Sequence, residues 1–238
     1  MIVMGKKKFF INVISNILIC LVIALLALTA SNSVVAVIGN DYKPYYNGNS
    51  KNVSIMINVY WGTEFIEPML ETLEQYDAKA TFFIGGVWAE KNMELLLTID
   101  EKGHEIGNHG YLHRDHKKLS VEQNREEIII TSRLINNITG KKVELFAPPS
   151  GSIGNNMSAV CEELEYKIIM WSKDTIDWRD KDADLVFKRA TKDIKGGDFI
   201  LMHPTAHTLE ALPRILDYYK ELGIKSVTVT ENITGNLY

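Results

Sequence analysis

At 238 residues the chain has room for one large domain or two small ones, and 46% hydrophobic against 24% charged residues is enough to bury a full core. The formal net charge is −4; setting aside Lys6, Lys7 and Lys8 from the 26 basic residues leaves 23 against 30 acidic ones, or −7, for the remainder. That balance excludes the basic footprint of a nucleic-acid binder, and two cysteines, Cys20 inside an apolar run and Cys161, do not make a disulfide scaffold.

The N-terminus reads as an address. Residues 1–8 form a short basic tail, and Phe9–Ala30 is a mostly apolar run without charge, long enough to span a bilayer. Lysines on its N-terminal side place the remainder outside the cytoplasm. A transmembrane anchor is the first reading and a cleaved signal the alternative, with Val34-Val35-Ala36 as its cleavage site. Residues 31–52, rich in Gly, Asn and Tyr without apolar period, read as a linker, and 53–238 as the main domain.

From Val53 the chain alternates. Strands are expected at 53–60, 80–84, 105–107, 143–147, 166–171, 198–202 and 226–229, and helices at 64–76, 88–101, 120–138, 157–164, 184–194 and 209–222. Ser120 with Gln123 makes a capping box, and Gly140 a stop. Seven short apolar strands alternating with helices predict a parallel α/β fold, either a closed barrel or an open doubly wound sheet. No Gly-x-Gly-x-x-Gly follows the first strand, so the dinucleotide mark is missing. In either architecture the site belongs at the C-terminal strand ends.

Polar and titratable residues recur at those ends. Tyr60-Trp61-Gly62-Thr63-Glu64 follows the first strand, Asn108-His109-Gly110-Tyr111-Leu112-His113 the third, and Ala147-Pro148-Pro149-Ser150-Gly151 the fourth. Asp174, Asp177 and Trp178 follow the fifth and His203-Pro204 the sixth. A helical segment from His109 would put both imidazoles on one face, where neutral rings can share a metal.

These pieces, with Ala80-Thr81-Phe82-Phe83, Gly103-His104-Glu105-Ile106-Gly107 and Leu201-Met202-His203, resemble the polysaccharide deacetylase family (NodB homology domain, carbohydrate esterase family 4) over roughly residues 53–229. The variety most similar is the membrane-linked, sporulation-associated deacetylase-like proteins. The resemblance implies a distorted (β/α)7 barrel that removes acetyl groups from N-acetylated cell-wall sugars, peptidoglycan foremost, with a bound divalent metal, usually zinc. It implies His109 and His113 as metal ligands, His203 as general acid, and Asp177 as the carboxylate that orients it. Trp178 and Leu201 would wall the acetyl pocket, with Pro149 and Tyr60 also facing substrate.

One motif departs. Where the family has two adjacent aspartates, base and third metal ligand, this chain has Tyr60 and Trp61; where it has an arginine beside the base, Ala147 stands. Indole cannot ligate zinc, and a phenol titrating near 10 is a poor base. Either another carboxylate substitutes, Glu64 first and Asp115 or His116 next, or the domain keeps a saccharide groove without catalysis, or it is a structural cell-wall protein. Retention of His203 and both ligand histidines favours the enzyme.

Overall fold

The computed structural model describes residues 13–22 and 42–235. The chain divides into two units, Met1–Gly39 and Asn40–Tyr238. In the first, residues 13–22 are helical; the rest of the expected anchor and the basic tail lie outside the described residues. Among the described residues no helix is long and apolar enough to cross a membrane.

The second unit is one parallel sheet of seven strands: β1 (Ser54–Val59), β2 (Ala80–Ile84), β3 (Glu105–Asn108), β4 (Leu145–Phe146), β5 (Lys167–Ile168), β6 (Lys173–Asp174) and β7 (Phe199–Met202), in the order β5-β4-β3-β2-β1-β7-β6. Its helices are α1 (Ile66–Gln75), α2 (Gly86–Lys91), α3 (Met93–Glu101), α4 (Val121–Thr139), α5 (Asn155–Glu163), α6 (Ala183–Thr191), α7 (Ala206–Glu221) and α8 (Val229–Thr234). Every residue of β1 is buried, as a strand covered on both faces requires. Its alternation sorts two layers. Ile55, Ile57 and Val59 join the apolar layer beneath the helices. Met56 turns inward to Phe83, Leu145, Ile169 and Phe199.

The sheet is curled into a distorted (β/α)7 half-barrel. Its two edge strands, β5 and β6, are separated by only residues 169–172, a reach of about 15 Å at most. The segment expected to be a linker straps this seam: Tyr45 pairs with Ile169 and Asn47 with Asp198, and Tyr42 donates its hydroxyl hydrogen to the Tyr166 carbonyl. The described part of that segment, 42–52, is thus bound into the barrel.

Two further expectations are corrected. The helix over 88–101 is two helices broken at Asn92, whose backbone (φ −135°, ψ 45°) leaves the helical region. The seventh strand is not 226–229 but β6. Ser226 makes only an isolated bridge to Val53, and Thr228 instead caps α8 in a capping box with Glu231. That helix seats Val229 in the inner layer, its N–H bonded to Thr81 Oγ1, at the end of the barrel away from the C-terminal strand ends.

Candidate functional site

Register places the site. Val59 pairs with Ile84, Ile84 with Asn108, Asn108 with Phe146 and Phe146 with Ile168, so these stand level across five strands. One residue further on stand Tyr60, His109 and Ala147. On the other side Ile57 pairs with Met202, which brings His203 to the same rim.

Residues 109–115 form a loop rather than a helix. Asn108 starts it: its side-chain carbonyl accepts from Gly110 N at 2.8 Å, and its amide donates to Ile128 O and Ser132 Oγ on α4. The buried Glu127 carboxylate then accepts from Tyr111 N and Leu112 N, both at 2.8 Å. Gly110 has φ +73°, and a Cβ there would lie 2.9 Å from His116 Nε2, so the turn requires glycine. His113, at φ +53°, turns back so that its ring centroid is 5.1 Å from that of His109. The imidazoles do meet, through a braced loop instead of helical spacing. His109 is fully buried and donates Nδ1–H to Ala147 O at 2.7 Å, which leaves Nε2 an acceptor without a protein partner. Burial first, then the neighbouring His113, hold its pKa well below the usual imidazole range; burial also lowers that of His113.

Across the cleft, Asp177 is fully buried. Its Oδ1 accepts from His203 Nδ1 at 2.8 Å, and its Oδ2 from His203 N and Thr208 Oγ1, both at 2.6 Å. Burial raises its pKa, but the bonds from His203 and Thr208 outweigh burial, so the carboxyl stays below its ordinary value. Asp177 thus fixes His203 Nδ1–H, and proton exchange at this imidazole falls to Nε2.

Between the two histidine groups lie Tyr60 and Trp61. Gly85 N bonds Val59 O, and Trp88 Nε1 donates to Gly62 O at 2.7 Å, pinning the turn from both sides. Tyr60 stacks on His113 with centroids 3.6 Å apart, its edge meets Trp61 at 4.2 Å, and Trp61 stacks on His203 at 5.2 Å. Five rings, His109–His113–Tyr60–Trp61–His203, therefore run from one wall to the other. Burial raises the Tyr60 phenol further above 10, which takes it further from service as a base.

The other expected site residues are placed as follows. Pro149 is buried beside Gly110 and Leu201 within β7, while Trp178 is exposed. Glu64 is not brought to the imidazoles: its carboxylate accepts from Thr63 N at 2.9 Å, and it lines an outer hollow with Glu67, Glu90 and Met93. Asp115 is committed to Ser152 and Lys118. His116 is buried with Nδ1 on Asn124 and supports the loop from beneath. Sequence reasoning missed the supporting set of Asn124, Glu127 and Thr208. Asn124 was detectable as a polar residue in register with Ile128 and Ile135 on the buried stripe of α4.

A divalent metal fits poorly here. His109 Nε2 is a suitable donor, but the ring facing His113 is a phenyl face, and the neighbouring position carries an indole. Among the described residues no three His, Cys, Asp or Glu side chains are grouped to hold a metal ion.

A parallel α/β barrel with a His–Asp dyad and a histidine pair at its C-terminal rim defines a hydrolase-type scaffold with a rebuilt centre. The polysaccharide deacetylase family model matches residues 46–169, and the chain belongs to that family. It is 39% identical over 191 residues to the uncharacterised protein YlxY of Bacillus subtilis, covering 79% of this chain and 60% of that protein. It is 30% identical to a peptidoglycan-N-acetylglucosamine deacetylase of Bacillus cereus, covering 77% of this chain and 88% of that enzyme. Among solved structures it resembles a carbohydrate esterase family 4 pseudoenzyme from Bacillus anthracis: TM-score 0.79, 38% identity, 82% of this chain and 70% of that one. A mutant of the same pseudoenzyme with restored enzymatic activity matches at 37% identity and the same TM-score. The chain spans about 60% of the length of the first curated relatives it matches. It is a deacetylase-like member of a family of carbohydrate hydrolases.

Proposed function

We propose that this protein engages N-acetylated cell-wall glycan, peptidoglycan first, and that in its present form it hydrolyses the acetamide far more slowly than its deacetylating relatives. One observation carries the proposal: Tyr60 and Trp61 fill the space between the histidine pair and the His203–Asp177 dyad, where the family has a base and a third metal ligand. The residues that remain can still do part of the work. His203 Nε2 can deliver a proton to a departing amine, since Asp177 holds the ring by Nδ1. Among the described residues no carboxylate is placed as a base opposite it: Asp177 is engaged by three donors and Glu64 bonds Thr63 N. The pseudoenzyme relative, and its mutant with restored activity, support a barrel of this family that persists without turnover and regains it by substitution. Zinc is in our reading weakly held at best. Lys6–Lys8 ahead of an apolar run support an extracytoplasmic position, anchored or secreted.

The test is acetate release from N-acetylglucosamine oligomers and peptidoglycan, with and without added zinc. The full-length protein should stay near background and Tyr60→Asp/Trp61→Asp should release acetate with zinc. Zinc-dependent release by the native protein at rates like those of the double variant would overturn the proposal.

A further inference from the structure

A second hollow opens at the other end of the barrel, where β3 and β4 begin and the first turn of α8 meets them through a bond from Thr230 N to Glu105 Oε2. Its volume is about 410 Å³, in the usual range for a small-molecule site. None of the rim residues that face the cleft lines it.

The floor is apolar: Ile106 of β3, Leu145 of β4, Val143 ahead of it and Ile135 of α4. One polar group interrupts it. His104 lines the hollow, is only 5% exposed, and accepts from Ala80 N at Nδ1. Accepting there fixes the neutral tautomer with its proton on Nε2. Among the described residues that Nε2–H has no hydrogen-bond partner. A donor left unpaired in a buried place is costly, and an acceptor brought in by a ligand relieves it. Lys79 and Lys102 lie near enough to act on the ring by their charge. Their positive field favours an oxygen at Nε2 and opposes a cation there.

The rest of the lining has the opposite sign. Asp100, Glu105, Glu144 and Glu231 supply four carboxylates against the two ammonium groups of Lys141 and Lys142. Both lysines are already paired, Lys141 with Asp100 at 2.7 Å and Lys142 with Glu144 at 3.1 Å. Glu105 uses Oε2 for Thr81 Oγ1 and Thr230 N, which leaves Oε1 to accept from a ligand. An anion meets an excess of carboxylate here, and a plain hydrocarbon leaves the His104 donor unmet. The ligand that satisfies both ends has an apolar body, a neutral carbonyl and a positive charge.

We propose that this hollow binds a small apolar primary amine bearing a neutral carbonyl, of the amino-acid amide class. Its oxygen accepts from His104 Nε2–H, and its ammonium lies among the carboxylates. The site is independent of the glycan reading: neither needs the other.

The probe is L-leucinamide, titrated into the full-length, ¹⁵N-labelled protein at about pH 6.5, where its amine is charged. It binds saturably with a dissociation constant of about 1 mM, the scale of so small a ligand. The amide signals of Ile106, Leu145 and Thr230 shift, and those of Tyr60 and His113 do not. Isopentylamine, which lacks the carbonyl, and 4-methylpentanamide, which lacks the amine, each bind at least about fivefold more weakly. His104→Asn keeps an acceptor for Ala80 N but withdraws the Nε2 donor, and weakens leucinamide binding at least about tenfold. Far-UV circular dichroism reports folding of the variant; should it not fold, the ligand series on the native protein decides. Equal affinity for leucinamide and isopentylamine, or unchanged affinity in a folded His104→Asn, overturns the proposal. So do tighter binding of the anion 4-methylpentanoate, shifts centred on Tyr60 and His113, and the absence of saturable binding.

Discussion

The ring of Tyr60 lies flat on that of His113, with centroids 3.6 Å apart and planes 20° from parallel. A ring pair of this kind contributes about 0.5–1.5 kcal/mol beyond its buried area. It holds the His113 imidazole in place at the rim.

The two substitutions should therefore separate on mutation. The family resemblance puts Trp61 at the position of the third ligand, and on that reading Trp61→Asp is expected to raise zinc affinity at least about 100-fold, since even outer partners of metal ligands are worth 10–100-fold. Tyr60→Asp alone restores a base but no third ligand, and is expected to shift zinc affinity much less. Competition with a chromophoric chelator measures both. Equal gains in the two variants would show that Trp61 does not stand at the ligand position.

Glu127 makes a second prediction. Its buried carboxylate accepts from two consecutive amides, Tyr111 N and Leu112 N, and so carries the turn that aligns His113. Charge-assisted bonds of this type are worth about 1.5–3 kcal/mol each. Glu127→Ala is expected to speed amide hydrogen exchange at Tyr111 and Leu112 by about 100-fold or more, and exchange in β1 hardly at all. Uniform acceleration across the sheet would mean that the residue supports the whole core instead.

The dyad gives a third. Asp177 is fully buried and accepts from three donors, so Asp177→Ala leaves His203 N, His203 Nδ1 and Thr208 Oγ1 without their acceptor. A loss of about 3–5 kcal/mol in urea unfolding is expected, against about 1–2 kcal/mol for Thr208→Ala. Because the folded Asp177 pKa lies below its ordinary value, its contribution is present above about pH 3.9 and is lost as pH falls through the lower folded value. Similar losses in the two variants would place the strain at Thr208 rather than at the carboxylate.

How much of this was legible in the sequence depended on the range of the forces involved. The Ser120–Gln123 box and the Gly140 stop act within one turn, and the structure has both, with Gly140 in the left-handed region. β2 has the bounds its apolar run predicts, because a fully buried strand needs nothing but that run. The (β/α) alternation and the gathering of polar residues at one rim follow from the same local patterns. Residues 226–229 read as β-branched strand, yet Thr228 and Glu231 formed a capping box that the same spacing rule could have found. The histidine pair was found for an incomplete reason: its rings meet because Asn108, Gly110 and Glu127 build a turn, and Glu127 lies 14 residues beyond His113 in the chain. The strap at 42–52 was illegible for a related cause, since its partners, Tyr166, Ile169 and Asp198, are over 120 residues away. Glu64, close in sequence to the cleft, bonds its own neighbour instead, and no local pattern distinguishes the two directions.

His104, from the motif just before the histidine pair, gives a prediction on stability that does not involve the cleft. It is buried beneath the sheet, its Nδ1 accepts from Ala80 N at 3.2 Å, and its ring meets the edge of Phe82. Burial, aided by the charges of Lys79 and Lys102, lowers its pKa to about 4. The unfolded chain takes up a proton on this residue below about pH 6.5, while the folded chain does so only near 4. The neutral ring thus favours folding fully above 6.5, and that advantage declines as pH falls, levelling off below 4. The difference is about 3 kcal/mol at its largest. His104→Asn keeps an acceptor for Ala80 N but does not titrate in this window. Urea unfolding of both proteins at pH 7.5 and pH 4 should show the native losing about 2–3 kcal/mol more than the variant over that interval, carboxylate effects being common to both. Equal losses would mean that His104 takes up its proton in the folded protein at an ordinary pH, and that water reaches it.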